Sequence, residues 1–205
     1  MSMDNKDVLR TLLTNLSQIN YVKPEDIPNI DLYMDQVTTF MDEHLRSSKR
    51  YEEDKVLTKT MINNYAKNNL LPPPVKKKYS KEHVLVMIFI YYFKNILSIK
   101  DIETLLAPIT DKHFKNEEGM DMTAIYKEVM ELEKSRINIV AKDIAKSYAG
   151  AQECYADAPQ EEREYLQLFA FICSLSFDVY VKKLLMQRII DSFDEPDSHK
   201  DKKKK

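Results

Sequence analysis

Residues 57–81 read LTKTMINNYAKNNLLPPPVKKKYSK: six lysines and no acid, in a chain of formal net charge −2. Thr58 is placed to cap a helix with its hydroxyl. Ile62, Tyr65 and Ala66 fall on one face, widened by Met61, while Thr60, Asn63, Asn64 and Lys67 form a separate polar face. The spacing predicts a helix over 58–69. Asn68 and Asn69 are expected to fray its end, and Pro72, Pro73 and Pro74 cannot continue it. Asparagine is a poor helix former, so Asn63 and Asn64 side by side on a polar face invite a functional explanation. Asn can pair with the N6/N7 edge of adenine in the major groove. The plainer alternative is an ordinary solvated face.

The following segment, residues 72–80, is stiffened by its prolines. Lys76, Lys77 and Lys78 offer cations suited to phosphates, and Tyr79 offers a ring and a hydroxyl at the tip of a basic loop. A lysine run alone is usually a solubilising loop. Here it stands between a polar-faced helix and a long apolar one. That order suits a winged helix-turn-helix on DNA.

Composition narrows the alternatives. A chain of 205 residues with 43% hydrophobic content can bury a core. It has two glycines, Gly119 and Gly150, which disfavours hairpin-rich sheets and excludes glycine-rich phosphate loops. The fold class expected is all-α. Residues 55–81 hold seven lysines and no acid, whereas residues 1–54 hold six basic and eleven acidic residues. A basic patch thus sits on an acidic body, which would orient one face toward a polyanion. Cys154 and Cys173 lack metal-type spacing and read as small core residues of a reducing compartment. The start is polar and the longest apolar run, Val84 to Phe93, is about half a membrane span. A soluble cytoplasmic protein is expected.

The remaining elements follow from periodicity. Asp4–Gln18 reads as an amphipathic helix, residues 21–30 as a connector, and Asp31–Leu45 as a helix with Leu32, Val37, Phe40, Met41 and Leu45 inward. Residues 46–54 form a charged link. Ser80 can cap a core helix carrying VLVMIFIYYF. Ser98 and Asp101 have capping-box spacing and open a helix over Ile99–Leu106, ended by Pro108. Residues 109–121 read as a polar link. A long helical hairpin follows, its first helix striped by Met122, Ile125, Val129 and Leu132, then by Ile137, Val140, Ile144 and Tyr148. Asp157 and Pro159 open the second, with Glu161, Glu162 and Glu164 early and Lys182, Lys183 and Arg188 late, as the macrodipole favours. The stretch Tyr165–Leu185 is apolar nearly all round, so a partner subunit or residues 4–19 and 84–97 should cover it. The domains expected are 1–30, an N-terminal helix and connector; 31–108, the DNA-binding head; 109–193, a helical dimerisation region; and 194–205, a disordered lysine-rich tail.

This order resembles the MerR-like winged-helix group. The matching residues are Tyr33-Met34-Asp35-Gln36-Val37 in a first helix and Leu57 to Tyr65 in a second. Leu70-Leu71-Pro72 matches the exit, Tyr79-Ser80-Lys81-Glu82-His83-Val84 the wing and next helix start, and Leu97 to Leu106 the last helix. Overall the chain is similar to an uncharacterised bacterial family carrying such a head. The resemblance implies sequence-specific DNA binding and transcriptional regulation. The chain departs from that group in having Asn64-Tyr65 for an Arg-Tyr pair, lysines without glycine in the wing, and a lengthened turn at Arg46–Asp54.

The expected interface is Lys59, Thr60, Asn63, Asn64 and Lys67 in the major groove, with Lys76, Lys77, Lys78, Tyr79 and Lys81 on backbone or minor groove. The expected partners are double-stranded DNA and a second copy of the chain, with no membrane and no cofactor. Four scattered histidines and no nucleophile motif argue against an enzyme. His83 reads as structural. No cysteine or histidine cluster in the C-terminal half suits a metal effector. Two rival readings are a helical adaptor without DNA binding, and a small-molecule sensor with Tyr165, Phe169, Phe171, Phe177 and Tyr180 lining a pocket.

Overall fold

The computed structural model describes residues 10, 11, 14, 21–116 and 119–193. Of the helix expected over 4–18, Arg10, Thr11 and Thr14 are helical and exposed. The rest of that helix and the tail 194–205 lie outside the described residues. Among these, six α-helices and one two-stranded sheet are present: β1 Leu32–Tyr33, α1 Met34–His44, α2 Lys59–Lys67, β2 Lys78–Tyr79, α3 Lys81–Phe93, α4 Ile99–His113, α5 Met122–Gln152 and α6 Gln160–Asp191. The fold is mostly helical, as its composition requires.

The centre of the head is α3. Residues Val84 to Ile90 are all buried, so the helix is covered on every side. Its start is fixed by a capping box: His83 Nδ1 accepts the Ser80 backbone N–H at 2.9 Å. Around α3 gather Val37, Phe40 and Met41 of α1, Ile62 and Tyr65 of α2, and Ile102 and Leu106 of α4. Ser98 and Asp101 close the expected box at the start of α4, at 3.0 and 3.1 Å.

Several boundaries differ from expectation. Asp31–Leu45 does not begin as helix. Leu32 and Tyr33 instead pair antiparallel with Tyr79 and Lys78, and α1 starts at Met34. A long-range strand partner outcompetes the helix there. Helix α4 does not stop at Pro108 but continues to His113. Thr110 Oγ1 donates to the Leu106 and Ala107 carbonyls, both at 3.1 Å, within the turn that Pro108 disturbs. The extension delivers Phe114 onto His83, ring centroids 4.7 Å apart. Tertiary packing overrides the proline.

Helices α5 and α6 form the expected hairpin, of 31 and 32 residues. Its base belongs to the head core through Met122, Tyr126, Met130 and Ile190. Tyr126 Oη donates to the Val22 carbonyl at 2.7 Å. The buried stripe therefore runs Met122, Tyr126, Met130 rather than through Leu132, which is 64% exposed. A second, small core of Tyr148, Ala151 and Phe171 holds the far end. There Gln167 is buried and donates to the Gln152 and Cys154 carbonyls, at 2.7 and 3.1 Å, closing the end of α5. Cys154 and Cys173 are free and exposed, not core residues as expected, because that core is too small to reach them. Among the described residues, no helix is long and apolar enough to cross a membrane.

Candidate nucleic-acid interface

Helix α2 is built as its spacing predicts. Thr58 is the N-cap, its Oγ1 accepting the Met61 N–H at 3.2 Å. Ile62 and Tyr65 are buried, while Lys59, Thr60, Asn63, Asn64 and Lys67 are all exposed. The five α2 positions expected to meet a ligand thus share the outward side of one helix. The end is not frayed. Asn69 takes a left-handed conformation, φ 56°, and the N–H groups of Asn69 and Leu70 bond the Ala66 and Tyr65 carbonyls at 3.3 and 2.9 Å. This is a Schellman stop, with Asn in the place usually given to Gly. Asn68 Nδ2 donates to the Asn64 carbonyl at 2.7 Å. Asn68 and Asn69 thus end the helix three residues before the prolines.

The basic segment is a hairpin. Val75 and Lys78 exchange backbone hydrogen bonds at 3.1 and 2.9 Å, and between them Lys76 and Lys77 have φ of 51° and 64°. Both central residues of a two-residue turn are left-handed, the form that usually takes Asn-Gly. Lysine there carries a steric cost on the order of 1–2 kcal/mol per residue. Both side chains are exposed at the tip.

Strand alternation corrects one expectation. Tyr79 is not at the tip. It is 3% exposed, on the inner face with Leu32, and stands edge-on to His83 at 5.5 Å. Burial raises the pKa of its hydroxyl. The exposed aromatic of the hairpin is Tyr33, 52% exposed, with Lys78 Nζ over its ring at 5.1 Å. Sequence reasoning placed Tyr33 inside a helix, and no local signal reveals its pairing with Lys78. Lys78 and Lys81 are half-buried.

Two grooves flank α2. One, of about 640 Å3, is lined by Met61, Asn64, Tyr65, Lys67, Asn68, Lys94, Asn95 and Ile99. Its Lys94 donates to the Val56 carbonyl at 2.8 Å, and burial lowers its pKa. Asn95 extends the amide surface of α2 and was not signalled by the sequence. The other groove, of about 430 Å3, includes Thr38, Thr39, Asp42, Glu43, Lys55 and Lys59. Acids border α2 on that side: Lys59 pairs with Asp35, and a hydrogen bond from Lys49 holds the Asp42 carboxyl below its ordinary pKa.

His83 is structural, as expected. Because Nδ1 accepts from Ser80, the ring proton sits on Nε2, which is buried without a hydrogen-bond partner. Burial lowers its pKa, against a smaller opposing pull from the Pro73 carbonyl. The aromatics Tyr165, Phe169, Phe177 and Tyr180 do not enclose a pocket with Phe171. All four are at least half exposed, whereas Phe171 is buried against Tyr148. Among the described residues, no group of three or more His, Cys, Asp or Glu is arranged to hold a metal.

A family model described as Domain of unknown function (DUF1836) matches residues 22–129. The matched span contains all but the first residue of the connector, the whole of residues 31–108 and the base of α5. No curated protein and no solved structure matches the chain. With more than half of its 205 residues inside the match, the chain belongs to the family named Domain of unknown function (DUF1836).

Proposed function

We propose that the head is a MerR-like winged helix-turn-helix that binds double-stranded DNA, and that the protein is a cytoplasmic transcription regulator. In this reading α2 enters the major groove, with Asn63 and Asn64 toward base edges and Lys59, Thr60 and Lys67 at the flanks. The hairpin serves as the wing, with Lys76 and Lys77 toward phosphates and Tyr33 beside Lys78 in the role expected of Tyr79. The observation that carries the reading is the turn itself. Strained backbone persists where the surroundings over-determine it, and such sites cluster at ligand contacts. Here the strain holds two lysines at an exposed tip, nine and ten residues beyond α2's last turn at Lys67.

The test is retention of fragmented genomic DNA by the purified protein, sequenced after washing at low and at physiological salt. Enrichment of a few sites at physiological salt is expected, with a steep fall in affinity as salt rises. Lys76→Glu with Lys77→Glu should abolish it. Retention at low salt alone, without enrichment, would refute the reading. A protein-interaction adaptor is the second reading, favoured by the acids Asp35, Asp42 and Glu43 beside α2. It predicts binding indifferent to salt and to the lysine reversal.

A further inference from the structure

A buried histidine stands at the root of the basic hairpin. His83 lies edge-on to Tyr79 of β2 at 5.5 Å and to Phe114, the residue that ends α4, at 4.7 Å. Its Nδ1 accepts the N–H of Ser80, which follows β2 directly and caps α3. Strand β2 pairs with β1 over two residues, so its anchorage depends also on the burial of Tyr79 and on this bond. A capping box usually carries Glu or Gln in the place of His83. Those side chains accept a hydrogen bond throughout the neutral range, whereas histidine accepts one only while its ring is neutral.

A protonated imidazole has two N–H donors and no acceptor. Its Nδ1–H would face the Ser80 N–H, donor against donor. Another partner is close by. Ser80 Oγ is 3.0 Å from Nδ1 and itself donates to Glu82 Oε2 at 2.5 Å, so it has a lone pair for the new N–H. Proton uptake thus trades the bond from the Ser80 backbone for one to its hydroxyl, and leaves the Ser80 N–H without that acceptor. The charges around the ring are Glu82 of α3 and Asp31, just before β1, and both favour the cation. From β2 the ring meets the Tyr79 hydroxyl, kept neutral by burial, and from the other sides the Pro72 and Pro73 carbonyls and the Phe114 ring. Desolvation outweighs these pulls and keeps the enclosed ring neutral. A histidine free in water takes up its proton near pH 6.5. A state in which the ring has left the Ser80 N–H therefore binds protons better than the closed one, and acid shifts the population toward it. We propose that His83 is a proton-sensitive latch on the basic hairpin: neutral, it holds the Ser80 N–H and fixes β2 to the head; protonated, it lets β2 and the Lys76–Lys77 turn detach from α3 while the helical core stays folded. The latch concerns the hairpin's hold on the head and operates whether or not the hairpin meets DNA.

The test is amide exchange together with NMR of the histidine rings, on the full-length protein from pH 7.5 down to 5. The reference is His83→Gln, which keeps a capping-box acceptor and does not titrate. In the wild type, exchange at Lys76 to Ser80, corrected for the intrinsic pH dependence of amide chemistry, should rise by up to about tenfold per pH unit below about 6.5. The amides from Val84 to Ile90 in α3 should keep their protection. The rise should follow the titration of the His83 ring itself, whose neutral form should carry its proton on Nε2. In His83→Gln the corrected rates should be flat. An equal acid response in the two proteins, a hairpin and a core that open together, or a ring that titrates with no change at Ser80 would each overturn the proposal. If His83→Gln fails to fold, the comparison of Ser80 with α3 in the wild type still decides.

Discussion

Histidine 83 shows how one residue can tie a capping motif to pH. Its Nδ1 is committed as an acceptor to Ser80, and its ring is packed between Tyr79 and Phe114. Burial depresses its pKa in the folded state. The unfolded chain therefore takes up a proton near the free-histidine value of about 6.5 that the folded chain refuses. The stabilisation is complete above that pH and is lost as pH falls toward the folded pKa, at up to about 1.4 kcal/mol per pH unit. Urea unfolding of the wild type and of His83→Phe between pH 5 and 7 checks this. The wild type should lose stability more steeply with acid, by up to one proton, and parallel curves would refute the assignment. The position of His83 at the head of an apolar run was legible in the sequence. Its contact with Phe114 was not, because Pro108 hides the extension of α4 that brings Phe114 there.

At the scale of elements, the two turns make opposite predictions. The Lys76–Lys77 turn holds two left-handed lysines, so Lys76→Asn with Lys77→Gly should stabilise the fold by up to about 2–4 kcal/mol. On the proposed DNA-binding reading, the same change should weaken that binding and flatten its salt dependence, since it removes two cations from the turn. Thermal melting and a salt titration with DNA separate the two effects. An unstrained turn would show no gain in melting temperature. The hairpin tip behaves differently, because Gln167 satisfies two carbonyls at the end of α5. Gln167→Leu leaves them without that donor and should cost about 1–3 kcal/mol. Denaturant titration measures it, and the DNA binding proposed for the head should be unchanged. Helix α2, with its cap and its two faces, could be read from residues 57–69 alone. The hairpin could not, because Leu32 and Tyr33 are more than forty residues from their partners.

For the molecule as a whole, the distribution of core matters most. The main core joins the head to the base of α5 and α6, whereas Tyr148, Ala151 and Phe171 alone centre the far end. Few buried contacts mean low local stability and early opening. Amide hydrogen exchange should find α3 the most protected element and the middle of α5 and α6 among the least at low concentration. Raising protein concentration should protect α6 around Cys173, as mass action requires if a second copy covers it. Concentration-independent exchange in α6 would argue that the face stays open. The periodicity of Tyr165–Leu185 foretold an apolar helix needing more than one cover. It did not say which side α5 would take.

The sequence by itself determined the helical class, the core helix after Ser80, the polar outward side of α2, the hairpin of long helices and the polarity of charge along α6. These depend on neighbours within a few turns, where spacing, caps and composition act directly. Tertiary structure decided that Tyr79 is buried and Tyr33 exposed, that α4 passes through Pro108, that Met122, Tyr126 and Met130 rather than Leu132 meet the core, and that both cysteines lie on the surface. Each of those depends on a partner distant in sequence, and burial against such a partner outweighs the local preference of a single residue.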